Sequence, residues 1–71
     1  MSKEVFTLKG KVIEALPNAM FKVSINEHHV VISTVSGKIR RFNINISVGD
    51  FVDVEMTPYD LLKGRISYRH K

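Results

Sequence analysis

Seventy-one residues supply one modest hydrophobic core, so the chain is read as a single domain over 1–71 with no room for a second. With no cysteine it has no disulfide, no thiolate zinc site and no cysteine nucleophile, which fits a reducing compartment. The opening residues 1–7 carry Glu4 and no apolar run, and the longest aliphatic stretch is Val30-Val31-Ile32, so neither a secretory signal nor a membrane span is expected and a soluble intracellular protein is.

Period-two alternation runs through most of the chain and predicts strands. In the first, Phe6, Leu8, Gly10 and Val12 face one way, Thr7, Lys9 and Lys11 face the other, and Gly10 is expected to permit a bend or bulge. Leu16-Pro17-Asn18 reads as a turn into a second strand with Phe21, Val23 and Ile25 inward and Met20, Lys22 and Ser24 outward. Asn26-Glu27-His28 leads into a third, where the Val30–Ile32 run predicts burial on both faces and the strand ends at Gly37. Between Gly37 and Gly49 the apolar residues Ile39, Phe42, Ile44, Ile46 and Val48 fit neither a long helix nor a clean strand. A short helical turn around Lys38–Arg41 is predicted there, then extended chain, because Asn43 and Asn45 are weak helix formers among β-branched isoleucines. Phe51–Met56 is a fourth strand with Val52, Val54 and Met56 inward and Asp53 and Glu55 outward. After a Thr57-Pro58-Tyr59-Asp60 turn, 63–69 is a fifth with Gly64, Ile66 and Tyr68 on one side and Arg65, Ser67 and Arg69 on the other. Five short strands with an irregular third connection predict an all-β, five-stranded OB-fold Greek-key barrel, with an SH3-like barrel as the competing fold.

The net charge of +4 is unevenly placed: 1–35 carry +1, 36–48 carry +3, 49–60 carry −4 and 61–71 carry +4. Lys38, Arg40 and Arg41 stand in one acid-free stretch and Lys63, Arg65, Arg69 and Lys71 in another, which predicts a shared, unneutralised field suited to a polyanion. Arginine's planar fork favours phosphate over a merely solubilising role. By strand periodicity Arg65 and Arg69 share one outer face and act together; the competing reading has them solubilise an edge strand.

The remaining candidates are weaker. His28 and His29 are adjacent, so in a strand they point to opposite faces, and with only His70 besides them no metal site is expected. His29 contacting phosphate or sugar competes with its being a plain hairpin residue. Asp53 and Glu55 lie roughly 6–7 Å apart on one strand face, but nothing suggests a cleft that would raise one pKa. Ser36, Ser47 and Ser67 have no partner pattern for nucleophilic attack, and there is no P-loop, so neither catalysis nor a cofactor is expected. Tyr59, after Pro58, either stacks on a base or packs in its turn, and Phe42 is equally ambiguous.

Taken in order, Leu16-Pro17-Asn18-Ala19-Met20-Phe21-Lys22-Val23, Val35-Ser36-Gly37-Lys38-Ile39-Arg40-Arg41, Gly49-Asp50, Met56-Thr57-Pro58-Tyr59-Asp60 and Lys63-Gly64-Arg65-Ile66 resemble bacterial-type translation initiation factor 1 across nearly the whole chain. The resemblance implies an OB-fold that binds the small ribosomal subunit, ribosomal RNA and a neighbouring ribosomal protein, where aminoacyl-tRNA later enters, and that supports initiation factors 2 and 3. It implies a monomer off the ribosome, in a cytoplasm or an organelle with bacterial-type ribosomes. The RNA contacts it implies are Lys38, Arg40, Arg41, Tyr59, Lys63, Arg65 and Arg69, and His29 matches a histidine usual before the Val-Val of the third strand. Phe42-Asn43-Ile44-Asn45-Ile46 departs from the family's Asn-Tyr-Ile-Arg-Ile type run, losing a cation at Asn45. The runner-up function is a single-stranded RNA chaperone of the cold-shock type. That class needs surface aromatics on adjacent strands, usually in a Lys-Gly-Phe-Gly-Phe-Ile type motif, and the sequence predicts no such stacking platform. A protein-binding adaptor barrel and a small hydrolase are more distant rivals.

Overall fold

The alternation in 6–35 and 51–70 is realised as strands whose apolar rows meet inside a closed barrel. The computed structural model describes residues 4–41 and 45–70, with the backbone alone at Lys38; Phe42, Asn43, Ile44 and Lys71 lie outside the described residues, as does the Lys38 side chain. The strands are β1 (Phe6–Leu16), β2 (Met20–Asn26), β3 (His29–Val35), β4 (Phe51–Thr57) and β5 (Asp60–His70), with a short helix α1 (Gly37–Arg41) between β3 and β4. The order around the barrel is β1-β2-β3-β5-β4, with β3 and β5 parallel and every other pair antiparallel. Among the described residues no helix is long and apolar enough to cross a membrane.

Val12, Val23, Val31, Val52, Val54, Met56 and Ile66 fill the barrel, and Ile39 of α1, 2% exposed, closes one end of it. Ser36 starts this helix by side-chain capping: its hydroxyl accepts from the Ile39 N–H at 3.2 Å. The Ser36 N–H donates to the Ile66 carbonyl at 2.9 Å, which moors the helix to β5. β3 therefore ends at Val35, and Gly37 belongs to the helix rather than to the strand end expected from sequence.

The inward rows of β2 and β4 match the sequence reading. Other expectations need correction. Burial on both faces of β3 is not found, because its outward row of Val30, Ile32 and Thr34 lies beside Ser24, Lys22 and Met20 of β2, and Val30 is exposed. Gly10 is not at the β1 bulge, which lies between Val12 and Glu14; it sits where β1 and β2 approach so closely that a Cβ would overlap Val23 and the Ser24 carbonyl.

The largest correction concerns β5. Asp53 pairs with Tyr68 but Val54 pairs with Ile66, so Ser67 is an extra residue and the pleat reverses beyond it. Tyr68 therefore turns outward with Asp53, and Arg69 joins the row of buried Val52. Arg65 and Arg69 do not share a face. A second irregularity, between the Glu55–Arg65 and Thr57–Asp60 pairs, puts extra residues into β5, and Lys63–Ile66 pairs with Ile32–Val35.

Candidate nucleic-acid interface

The parallel pairing of β3 with β5 orders the cations. Lys63 lies across from Ile32 and Arg65 from Thr34, both outward, and the chain leaving β3 at Val35 becomes the helix that bears Arg40 and Arg41. Arg40, Arg41 and Lys63 are exposed, and among the described residues none of them has a carboxylate within ion-pair distance. Two concavities flank this strip. A cleft of about 280 Å3 beside α1 is lined by Ala19, Phe21, Ile39, Arg40, Asn45 and Ile46. One of about 380 Å3 at the end of β4 and β5 brings Lys63 and Arg65 together with Glu55, Asp60 and Met56.

The field is not wholly unneutralised, which corrects the sequence expectation. Arg65 donates to Glu55 at 2.8 Å, its cross-strand partner on the outer face. Half-exposed pairs of this kind contribute about 0–1 kcal/mol, so a phosphate can compete for the guanidinium. Arg69 is committed differently: its Nη1 donates to the Asn45 carbonyl at 2.8 Å and stands 3.9 Å from Asp50. Asp50 in turn accepts from the Ser47 N–H at 2.9 Å, and Gly49, at φ +99°, makes the left-handed turn between them. The Gly49 N–H reaches the Val12 carbonyl at 2.8 Å, so the segment 45–50 is tied to β1 on one side and to Arg69 on the other.

Tyr59 is 85% exposed at the tip of the two-residue β4–β5 turn, which rules out packing within that turn as its main role. His29 is half-buried, and its Nε2 lies 2.6 Å from the Leu61 carbonyl; to donate there it must carry the ring proton. That bond braces the start of β5. Asp53 and Glu55 share a face as expected, but each is engaged, Asp53 in a hydrogen bond with His70 at 2.7 Å and Glu55 in an ion pair with Arg65. No cluster of three metal-ligating side chains occurs among the described residues. Glu55 and Asp50 were missed as members of the site because their partners depend on β5 register, which the bulges reset.

A closed five-stranded barrel with a helix between β3 and β4 is an OB-fold, and its arginine-bearing helix and strand place it in the class of small cationic OB-fold proteins. A family model described as Translation initiation factor 1A / IF-1 matches residues 2–71. The solution structure of translation initiation factor 1 from the wolbachia endosymbiont strain TRS of Brugia malayi is similar over 99% of this chain and 83% of that one, at 47% identity and a TM-score of 0.80. The crystal structure of YjeQ from Thermotoga maritima is similar over 93% of this chain and 23% of that one, at 27% identity and a TM-score of 0.73, a likeness to part of a longer protein. The chain belongs to the translation initiation factor 1A / IF-1 family.

Proposed function

We propose that this translation initiation factor binds the small ribosomal subunit at the aminoacyl-tRNA site, occupies that site during initiation and supports initiation factors 2 and 3. It acts as one non-enzymatic unit, monomeric off the ribosome, in a cytoplasm or in an organelle with bacterial-type ribosomes. The observation that carries this reading is the strip of exposed cations running from Lys63 and Arg65 on β5 to Arg40 and Arg41 on α1, in a chain of this family. Lys38, Arg40, Arg41, Lys63 and Arg65 take ribosomal phosphates, and Tyr59 stacks on an exposed base or ribosomal side chain. His29 and Arg69 belong to the same surface through the elements they brace, β5 and the 45–50 segment.

Co-sedimentation with purified small subunits tests the reading. The chain is expected to pellet with the subunits, and more of it to be retained when factors 2 and 3 are present. A chain that stays in the supernatant under both conditions is not a subunit-binding factor.

A further inference from the structure

The bulge at Ser67 has a second effect, on the opposite flank of Arg65. Across the outer surface of β1, β4 and β5 the register makes two neighbouring rows, Lys11–Phe51–His70 and Lys9–Asp53–Tyr68. Aromatic rings therefore stand on adjacent strands with lysines along the third, an arrangement the sequence reading did not anticipate because unbroken alternation puts Tyr68 inside. Phe51 is 48% and Tyr68 54% exposed. The Tyr68 and His70 rings meet edge to face, with centroids 4.9 Å apart, and the Lys9 ammonium lies 5.4 Å from the centre of the Phe51 ring. Large rings left this open cost the free protein burial energy and present π faces to solvent.

We propose that this face is a second RNA-binding site, which takes a single-stranded segment by stacking bases on Phe51 and Tyr68 while Lys9 and Lys11 hold its phosphates. Stacking is sequence-tolerant, so the ligand class is unstructured single strand rather than a particular sequence. The acids facing the site are Asp53 and, one row on, Glu55, and both are already engaged, Asp53 by His70 at 2.7 Å and Glu55 by Arg65 at 2.8 Å. The phosphates pass on the β1 side, where Lys9 leaves the Phe51 ring to a base and turns to the backbone. With two lysines as the phosphate partners, the salt dependence is shallow, with a log–log slope of roughly −1 to −1.5. The site is separate from the α1 strip, which lies beyond Arg65 on the β3 side.

The chain has two tyrosines and no tryptophan, so in Tyr59→Phe the intrinsic emission reports Tyr68 alone. Titration of that variant with a 12-residue oligouridine at low salt is expected to quench the emission to saturation. Phe51→Ala should weaken oligouridine binding by about 5- to 150-fold, the range found when a stacking aromatic is removed. Phe51→Tyr should restore it, and co-sedimentation with small subunits should be unchanged in both. Arg40→Ala with Arg41→Ala is expected to leave oligouridine affinity intact. Absence of oligouridine binding overturns the proposal, as does binding without quenching. So does Phe51→Ala binding as tightly as the parent, or the arginine pair losing as much strand affinity as Phe51→Ala, which moves the strand to the α1 side. Failure of subunit binding with the quenching intact overturns the proposed function and leaves this site standing.

Discussion

Replacing Arg40 and Arg41 together with Ala is expected to abolish stable association with the small subunit while leaving the barrel folded. Each arginine is exposed on α1, and a charge-assisted contact of this kind contributes about 1.5–3 kcal/mol. Two such losses, if independent, come to roughly 150-fold or more in affinity. The fold is insulated for three reasons. Alanine has the higher helix propensity, the cap on α1 comes from Ser36, and the residue the helix buries is Ile39. Glu55→Gln should act in the opposite direction by releasing Arg65 from its partner, with a gain no larger than a surface ion pair provides. Filter binding or co-sedimentation titrations with thermal melts on the same preparations check both. An arginine pair variant that binds like the parent removes α1 from the interface.

Gly64→Ala is expected to cause the largest loss of stability of any single-methyl addition on β5. A Cβ there would overlap Val54 and come within 3.0 Å of the Glu55 carbonyl and 3.2 Å of Met56, two of these neighbours being core side chains and the third backbone. Overpacking of this kind costs about 1–3 kcal/mol, and in a domain of this size each kcal/mol lowers Tm by roughly 4–8 °C. The glycine sits between β4 and β3, against Val54, Glu55 and Met56 on one side and opposite buried Ser33 on the other, so the neighbours cannot retreat without opening one of the two ladders. Gly37→Ala is the matched control, since a Cβ at that helix position meets nothing within 4 Å. Equal melting temperatures for the two variants would show that β5 has slack the packing does not suggest.

The sequence was most legible where alternation and geometry agree. β2 and β4 have unbroken inward rows, Phe21-Val23-Ile25 and Val52-Val54-Met56, and the helical turn expected around Lys38–Arg41, where strand periodicity fails, is α1 (Gly37–Arg41). β5 was not legible in the same way. Nothing about Ser67 by composition marks it as a bulge, yet that one residue moves Arg69 from the outer face to the 45–50 segment and brings Tyr68 outward beside Phe51. The ion pairs were hidden for the same reason: Glu55 and Arg65 are ten residues apart in sequence, and their meeting depends on how many residues β5 spends between Asp60 and Arg65. Charge counting located the basic blocks but could not show that the acidic block between them supplies Glu55, Asp50 and Asp53 as partners of Arg65, Arg69 and His70 on β5.

The proposed function rests on exposed cations of α1 and β5 binding ribosomal phosphate. The salt dependence of small-subunit affinity measures this most directly, because each neutralised phosphate releases counterions. With about four or five phosphates engaged by Lys38, Arg40, Arg41, Lys63 and Arg65, the expected slope of log affinity against log salt is roughly −3 to −4.5, well steeper than that of oligouridine binding on the Phe51 face. A slope near zero for the subunit would contradict the account, since binding of that kind is held by apolar or shape contacts and not by these cations.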